Sequence, residues 1–307
     1  MIHVGMATYG NLKYTKLAYN SLVEHTDTEF DIYIVIGKPG DQETLDWVIA
    51  KDIPYILHGI NKGFPYSVND IYDFFWSGDD TSPILIIGND VVVYPNAVDK
   101  LYEKYLETGA DWISSSELFI PESFTEEYPE LRDNFKVDLE LKLGLGYSFI
   151  TDLYEEEVSG NCIDLKTLDI IGDSHNLTLF SRKLFDTIGY IDTNFFPAYF
   201  EDNDYGRRAI LSDDIQMLKL EDSHYFHFWS RTIYEEGTKK MNDNFFPHNK
   251  EYYKYKWGGF PGSETLEIPF DSKIATLGLW ELPYTLGIFT RECEEDILEY
   301  WRVRYEH

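Results

Sequence analysis

Residues 83–90, with the sequence Pro-Ile-Leu-Ile-Ile-Gly-Asn-Asp, set the fold class. The apolar run at 83–87 has the length and β-branched composition of a buried strand, and Gly88 ends it. Asn89 and Asp90 follow directly. Strands without polar alternation are typical of a parallel sheet covered on both faces. The stretch therefore predicts a central strand with a carboxylate at its end.

Short β-rich runs alternate with amphipathic helical patterns through the first part of the chain. Strands are predicted at 2–7, 31–36, 55–57 and 83–87, and again at 177–181. Apolar residues at helical spacing lie between them, from Tyr14 to Leu22, from Val68 to Phe75 and from Val98 to Leu106. Parallel strands joined by crossover helices give this alternation, so the predicted fold class is α/β.

Small and polar residues collect where the predicted strands end. In an open parallel sheet, ligands bind outside the carboxyl ends of the strands, so these residues are candidates for one shared site. They are Ala7, Thr8, Tyr9, Asn11, Gly37, Asp41, Asn61, Gly63, Asn89 and Asp90. Gly, Asn and Asp are also ordinary turn residues, and only the common edge favours a site. Asp90 is the sharpest candidate, because a carboxylate there can hold a divalent ion that bridges to a diphosphate.

A second candidate is the acidic cluster Glu201, Asp202 and Asp204, which follows the aromatic run 195–200. Neighbouring carboxylates repel one another, so their pKa values rise and one of them can act as a general base near neutral pH. We take Asp202 as the candidate base. Asp204 can instead form an ion pair with an arginine one helical turn later.

A third candidate lies in the segment 224–232. A strand there sends His227 and Trp229 to the same face, and imidazole is a common ligand of divalent metals. A single histidine is more often structural. His227 therefore counts as a metal ligand only together with Asp90.

The charge of the chain limits its partners. Its 307 residues include 26 Lys and Arg and 55 Asp and Glu, which gives a net charge of −29. Such a surface repels polyanions and argues against duplex DNA, RNA and anionic membranes. A single nucleotide can still be held by local dipoles and a metal ion. Aromatic residues reach 17% of the chain and can stack on bases or sugar rings as well as pack the core.

Cysteine usage and hydropathy indicate the compartment. Cys162 and Cys293 are far apart and lack the spacing of a zinc site or of a disulfide framework. No apolar run approaches the ~20 residues of a membrane helix, and the start of the chain lacks a signal-peptide pattern. We expect a soluble, cytoplasmic protein without a membrane span.

Two parts of the chain depart from the α/β pattern. Residues 114–161 include a glutamate-rich stretch and predict an insertion on the sheet. After residue 235 the periodicity gives way to an aromatic and basic segment at 248–259 and to a predicted helix at 292–304. The predicted organisation is one domain at 1–235 and an appended lobe at 236–307.

The order of these motifs resembles the inverting glycosyltransferases of the GT-A fold, in glycosyltransferase family 2, over roughly residues 2–259. Residues 6–11 look like the family's Pro-Thr-Tyr-Asn strand end, and 61–64 with Asn69 look like its Asn-x-Gly…Asn element. Residues 87–91 with Pro95 resemble a variant of its Asp-x-Asp element, and 180–192 resemble the segment before its Glu-Asp motif, here Glu201-Asp202. Residues 227–232 look like its His-x-x-Ser-x-Thr, and 249–258 like a common ending. Six elements in order are more specific than any one.

The resemblance implies a GT-A fold, which is a Rossmann-like mixed sheet flanked by helices. It implies that 1–235 is the catalytic domain. From position alone, we expect the insertion and 236–307 to shape the acceptor site or the contacts of a homo-oligomer, because acceptor binding has to be adaptable. The donor is expected to be a nucleotide-diphosphate sugar, a UDP-sugar above all. The acceptor is expected to be a glycan, a protein or a small molecule.

The resemblance also assigns roles to residues. Thr8 and Tyr9 are expected near the nucleoside, and Asp90 and His227 are expected to hold Mn²⁺ or Mg²⁺ on the diphosphate. Asp202, beside Glu201, is expected to take the proton of the acceptor hydroxyl as its oxygen attacks the anomeric carbon. One displacement then inverts the configuration.

Two positions depart from the family pattern and keep alternatives open. Gly37 stands where an acid usually contacts the base, so either Asp41 replaces that acid or the base is recognised differently. Gly88 stands where the first acid of Asp-x-Asp is expected. A catalytically silent sugar-nucleotide binder is therefore one alternative. A nucleotidyltransferase is another, although residues 8–12 lack the basic glycine-rich loop typical of that class.

Overall fold

The computed structural model describes residues 1–118, 161–167, 175–228 and 236–270, with backbone only at 236–244. Most of the predicted insertion, the motif residues 229–232 and the predicted helix at 292–304 lie outside the described residues. None of the described helices combines the length and the apolar composition needed to cross a bilayer.

A mixed β-sheet forms the centre of the described chain. Its strands are β1 (Ile2–Thr8), β2 (Phe30–Ile36), β3 (Tyr55–Leu57), β4 (Ile84–Gly88), β5 (Val91–Val93), β6 (Trp112–Leu118), β7 (Cys162–Asp164), β8 (Leu177–Phe180) and β9 (Met217–His227). They are hydrogen-bonded in the order β3-β2-β1-β4-β8-β6-β9-β5, and β7 pairs with β9. The strands β3, β2, β1 and β4 run parallel, whereas β8 is antiparallel to β4 and β6.

Helices cover both faces of the sheet. They are α1 (Leu12–His25), α2 (Gln42–Ala50), α3 (Phe64–Trp76), α4 (Ala97–Thr108), α5 (Arg182–Ile188), α6 (Glu201–Ile210) and α7 (Glu236–Trp257). Ile34 and Ile36 of β2 pack in the core layer that includes α1 and α4, and Tyr33 and Val35 pack in the layer that includes α3 and α6. Successive residues point to opposite faces, so continuous apolar strands bury both sides. The predicted fold class, an α/β mixed sheet flanked by helices, is confirmed.

The strand β6 was not predicted from the sequence, because its serine-rich composition is not typical of strands. The described start of the predicted insertion, 114–118, belongs to this strand. Ser114 and Ser115 are buried and Ser116 is half-buried. The hydroxyls of Ser115 and Ser223 are 2.6 Å apart, and Ser116 donates to the Leu220 carbonyl at 2.9 Å. Buried polar side chains are tolerated when they are paired in this way. Serine is not typical of strands, so the pattern alone did not indicate one.

The helix α7, at the start of the predicted C-terminal lobe, packs on the sheet domain through buried charges. The ammonium group of Lys256 lies 2.7 Å from Asp192 and 2.7 Å from Asp204. Trp257 donates to Asp204 at 2.9 Å, and Tyr252 donates to Asp192 at 2.8 Å. Burial alone raises the pKa of Asp192, but the charge and hydrogen bond of Lys256 hold that pKa below its usual value. The boundary at residue 235 stays a prediction.

Candidate active site

A cavity of about 270 Å³ lies at the carboxyl ends of β1 and β4, and we call it the strand-edge cavity. Eleven of the sequence-predicted residues line it: Ala7, Thr8, Tyr9, Gly37, Asn61, Gly63, Asn89, Asp90, Glu201, Asp202 and His227. The structure thus brings the three candidate groups, around Asp90, Asp202 and His227, to one cavity. Parallel strand ends and the start of α6 supply its walls.

Three other predicted residues are not on the wall and hold neighbouring segments. The carboxylate of Asp41 caps α2 and accepts hydrogen bonds from the Thr44 amide at 3.2 Å and the Thr44 hydroxyl at 2.7 Å. The side-chain amide of Asn69 pairs with the backbone N–H and C=O of Ile191 at 2.9 and 2.8 Å. Asn11 has a φ of 55° and precedes α1. Nucleotide contacts by Asn11, Asp41 and Asn69 stay predictions.

Thr8 and Asn89 join the ends of the two central strands. The Thr8 hydroxyl lies 2.9 Å from that of Thr15 in α1, and Asn89 donates to both hydroxyls at 3.3 Å. All three side chains are buried. These bonds fix β4 beside β1 and aim the next residue, Asp90, at the cavity.

Asp90 and His227 form a pair across two strands. Val91 and His227 are partners in the antiparallel register of β5 and β9, and the Phe228 amide donates to the Asp90 carbonyl at 2.9 Å. This pairing leaves Oδ1 of Asp90 3.1 Å from Nε2 of His227. The other ring nitrogen of His227 lies 3.1 Å from the side-chain amide of Asn176 and 3.9 Å from Glu117. These contacts orient the imidazole.

The chemistry of the Asp90–His227 pair fits a divalent cation. Two ligands at ~2.1 Å from an ion in adjacent octahedral positions are ~3.0 Å apart, close to the 3.1 Å between these side-chain atoms. Among the described residues, no cluster of three or more His, Cys, Asp or Glu is arranged for a metal. An ion held by the pair therefore needs further oxygen ligands from water or from a phosphate, as is usual for Mg²⁺.

Gly88 has a steric reason to lack a side chain. A Cβ atom at this position lies 2.9 Å from Oδ1 of Asn176 and 3.2 Å from a methyl carbon of Val91. The Gly88 amide also donates to the Asn176 carbonyl at 2.9 Å. The side chains of Asn176 and Val91 therefore crowd the position that the first acid of an Asp-x-Asp element needs.

Gly63 allows the loop before α6 to approach the start of α3. Its φ is +85°, and a Cβ atom on it lies 2.9 Å from the Pro197 carbonyl oxygen. That oxygen accepts a hydrogen bond from the Phe64 amide at 2.7 Å. Glycine has no Cβ and adopts positive φ without penalty. The contact holds the loop that leads to Glu201 and Asp202 against the cavity.

The two residues before this carboxylate pair have strained backbones. Tyr199 and Phe200 have φ of 79° and 71°. A non-glycine residue in this region costs ~1–3 kcal/mol and persists only where surrounding contacts hold it. The Phe200 ring packs 5.4 Å from the Phe246 ring and 5.9 Å from the Tyr253 ring, both in α7. Such strain is concentrated at functional sites.

Glu201 and Asp202 have different environments although they are adjacent. Glu201 is only 6% exposed, and its Oε2 atom is buried without a hydrogen-bond partner among the described residues. Burial raises the pKa of Glu201 well above its usual value, and the negative charge of Asp202 raises it further. Asp202 is more exposed and accepts a hydrogen bond from the Asn203 amide at 2.8 Å. Burial therefore favours the protonated form of Glu201 beside the candidate base.

Asp204 belongs to a different set of contacts. Its carboxylate pairs with Arg208 at 3.0 Å and with Lys256 at 2.7 Å. The side chain is fully buried and does not line the strand-edge cavity. The predicted helical ion pair is confirmed, and Asp204 fixes the helix that presents Glu201 and Asp202.

Several wall residues were not predicted from the sequence. They are Phe64, Ser67, His175, Asn176, Pro197, Ala198 and Tyr199. His175 and Asn176 directly precede β8, which is antiparallel to β4, so the start of β8 lies beside the end of β4. A search restricted to residues that follow parallel strands passes over them. A search that also covers residues before antiparallel strands would have included both.

Comparisons with known proteins give limited information. No family model and no curated protein matches the chain. Among solved structures, the crystal structure of S. aureus TarS 1–349 has a TM-score of 0.49 to this one at 15% identity. The likeness covers 74% of this chain and 60% of that chain, so it spans less than two thirds of the TarS structure.

Proposed function

We propose that the chain is an inverting glycosyltransferase that moves a sugar from a nucleotide-diphosphate donor, a UDP-sugar in the first instance, to an acceptor hydroxyl. The observation that carries this proposal is the meeting of Asp90, His227 and Asp202 at the strand-edge cavity. A pair of divalent-metal ligands and a carboxylate base at one sheet edge are the groups that such a transfer needs.

The wall composition supports dependence on Mn²⁺ or Mg²⁺. Among the described residues that line the strand-edge cavity there is neither lysine nor arginine. A diphosphate therefore meets no fixed cationic side chain on this wall, whereas Asp90 and His227 can hold a divalent cation. When bound, that cation neutralises the negative charge of the leaving diphosphate.

Asp202 is the residue that handles the proton in this proposal. Its carboxylate accepts the proton of the acceptor hydroxyl while the hydroxyl oxygen attacks the anomeric carbon. The bond from that carbon to the diphosphate oxygen breaks, and the electron pair leaves with the nucleoside diphosphate. A single displacement inverts the configuration and needs no covalent intermediate on the protein. Burial raises the pKa of Glu201 and favours its protonated form, so the more exposed Asp202 is the better placed of the two acids to serve as base.

The proposal is tested by donor turnover. A thermal-shift screen of UDP-, GDP- and dTDP-sugars with Mn²⁺ selects a bound donor, since a ligand of the folded state raises its stability. Release of nucleoside diphosphate from that donor is then measured in wild type and in Asp202→Asn. We expect release that is lost in the variant while donor binding persists.

Other results would identify the alternatives. Donor binding without release under any acceptor tested indicates a catalytically silent sugar-nucleotide binder. Release of pyrophosphate from a nucleoside triphosphate and a sugar phosphate indicates a nucleotidyltransferase. Either result, or full turnover by Asp202→Asn, contradicts the proposed reaction.

A further inference from the structure

His175 is a buried polar residue on the wall of the strand-edge cavity. It is 4% exposed, and both of its ring nitrogens are buried without a hydrogen-bond partner among the described residues. Its ring lies 5.3 to 5.8 Å from the rings of Trp112, Phe180 and Tyr205. This aromatic cage packs the imidazole but offers its nitrogens no hydroxyl or carbonyl partner.

An unpaired buried polar group is costly, and native structures seldom keep one without a partner. The same cavity wall contains a second group of this kind, the Oε2 atom of Glu201. Two such groups on one wall indicate that a polar ligand completes their hydrogen bonds. The proposed catalytic scheme leaves His175 without a role.

The protonation states of the two groups define the ligand chemistry. Burial, together with the positive charge of Arg208, lowers the pKa of His175 to about 3. The ring is therefore neutral and presents one N–H donor and one acceptor nitrogen. Burial raises the pKa of Glu201, so its carboxyl group can donate as well as accept. An alcohol both donates and accepts, which matches this neutral pair.

We propose that His175 and Glu201 form a subsite that recognises a hydroxyl group of the transferred sugar. This inference rests on the proposed function. Glu201 adjoins the candidate base Asp202, so the subsite belongs at the reacting sugar and not at the nucleoside. A phosphate favours cationic donors, and this wall has no lysine or arginine among its described residues.

The first test compares sugar donors with single hydroxyls removed. Affinities of wild type and His175→Phe are measured with Mn²⁺ and no acceptor, for UDP, UDP-glucose, UDP-galactose, UDP-N-acetylglucosamine and their monodeoxy analogues. Wild type should bind one deoxy analogue at least ~10-fold more weakly than its parent, because the analogue leaves buried groups unpaired. His175→Phe should lose that preference and bind UDP as wild type does.

A control variant and a measurement on wild type distinguish loss of the subsite from misfolding of His175→Phe. His224→Phe alters a half-buried histidine of β9 that is not on the cavity wall, and it should keep the wild-type preference. In wild type, the ring ¹⁵N resonances of His175 should shift when the bound UDP-sugar is added and should stay unchanged with UDP. This measurement needs no substitution.

The outcomes separate the subsite from the proposed function. Suppose that a UDP-sugar binds wild type, but His175→Phe keeps the preference for the parent donor over its deoxy analogue, or the His175 resonances do not shift when the UDP-sugar is added. The subsite is then wrong and the proposed function stands. If no UDP-, GDP- or dTDP-sugar binds wild type with Mn²⁺, both the subsite and the proposed function are overturned.

Discussion

Oδ1 of Asp90 lies 3.1 Å from Nε2 of His227, and antiparallel pairing of β5 with β9 fixes this distance. The Asp90 carbonyl also accepts a hydrogen bond from the Phe228 amide. Both side chains are therefore positioned by the backbone of the sheet. His227 ends β9, and Asp90 lies in the two-residue turn between β4 and β5, where strand pairing on one side and the Phe228 hydrogen bond hold its backbone.

Asp90→Asn should weaken Mn²⁺-dependent donor binding by at least ~10-fold, because a neutral amide is a poorer ligand for a hard cation than a carboxylate. Calorimetric titration of UDP with Mn²⁺ and with EDTA measures the effect. Asp186→Asn, in an exposed ion pair with Arg182, is the control and should behave as wild type. Equal affinity of wild type for UDP in Mn²⁺ and in EDTA would contradict the proposal that a metal ion takes part in donor binding.

Asp202→Asn and Glu201→Gln should differ in turnover although the residues are adjacent. Loss of the base should lower turnover by ~10²–10⁴-fold with little change in donor affinity. Glutamine resembles the neutral acid that Glu201 already is, so Glu201→Gln should keep turnover within ~10-fold of wild type. Steady-state rates and donor titrations of both variants decide the point. An inactive Glu201→Gln with an active Asp202→Asn would reverse the two roles.

Glu201→Gln should also change how stability depends on pH. The folded-state pKa of Glu201 is raised above its usual 4.5. The stability that its protonated form contributes is fully present below that value and is lost as pH rises through the folded pKa. Glutamine has no proton to lose. The free energy of unfolding of the variant should therefore rise relative to that of wild type as pH rises above 4.5, by ~1.4 kcal/mol per unit of pKa shift.

Denaturant unfolding of both proteins across a pH series measures this difference. Glu103→Gln changes an exposed glutamate of α4 and should run parallel to wild type. A Glu201→Gln curve that also runs parallel to wild type would show that Glu201 is not a buried neutral acid.

Lys256→Met should destabilise the fold strongly. The substitution leaves Asp192 and Asp204 buried without the ammonium group that lies 2.7 Å from each. Removal of one partner from a buried ion pair typically costs ~3–5 kcal/mol. Lys254→Met, on the same helix, removes an exposed pair with Glu251 and a contact of the ammonium group with the Phe260 ring, and it should cost ~0–1 kcal/mol. Urea unfolding measures both, and equal losses would mean that the buried charges do not hold α7 in place.

The hydrophobic pattern was sufficient to predict the strands of the parallel half of the sheet. The strands at 30–36, 55–57 and 84–88 lie within one residue of their predicted bounds, because each is a mostly apolar run next to a polar residue, glycine or proline. The strand Val91–Val93 follows β4 after only two residues, so no separate pattern marks it. In β6, serines that pair inside the sheet hide the strand.

The cavity was only partly predictable, for reasons of strand direction. The rule for parallel strand ends selects Thr8, Gly37 and Asp90, all of which line it. His175 precedes an antiparallel strand, and the direction of β8 depends on tertiary pairing that local pattern does not encode. Asp41 caps the N-terminus of α2, which is an ordinary role for a turn residue. Its position in the sequence could not distinguish this role from contact with a ligand.

The most direct test of the central claim is the position of Mn²⁺ in a crystal grown with UDP. The account predicts one anomalous difference peak ~2.1 Å from both Asp90 Oδ1 and His227 Nε2, with the diphosphate oxygens completing its coordination and Asp202 facing the open end of the diphosphate. A Mn²⁺ peak away from Asp90 and His227, or UDP bound outside the strand-edge cavity, would contradict it.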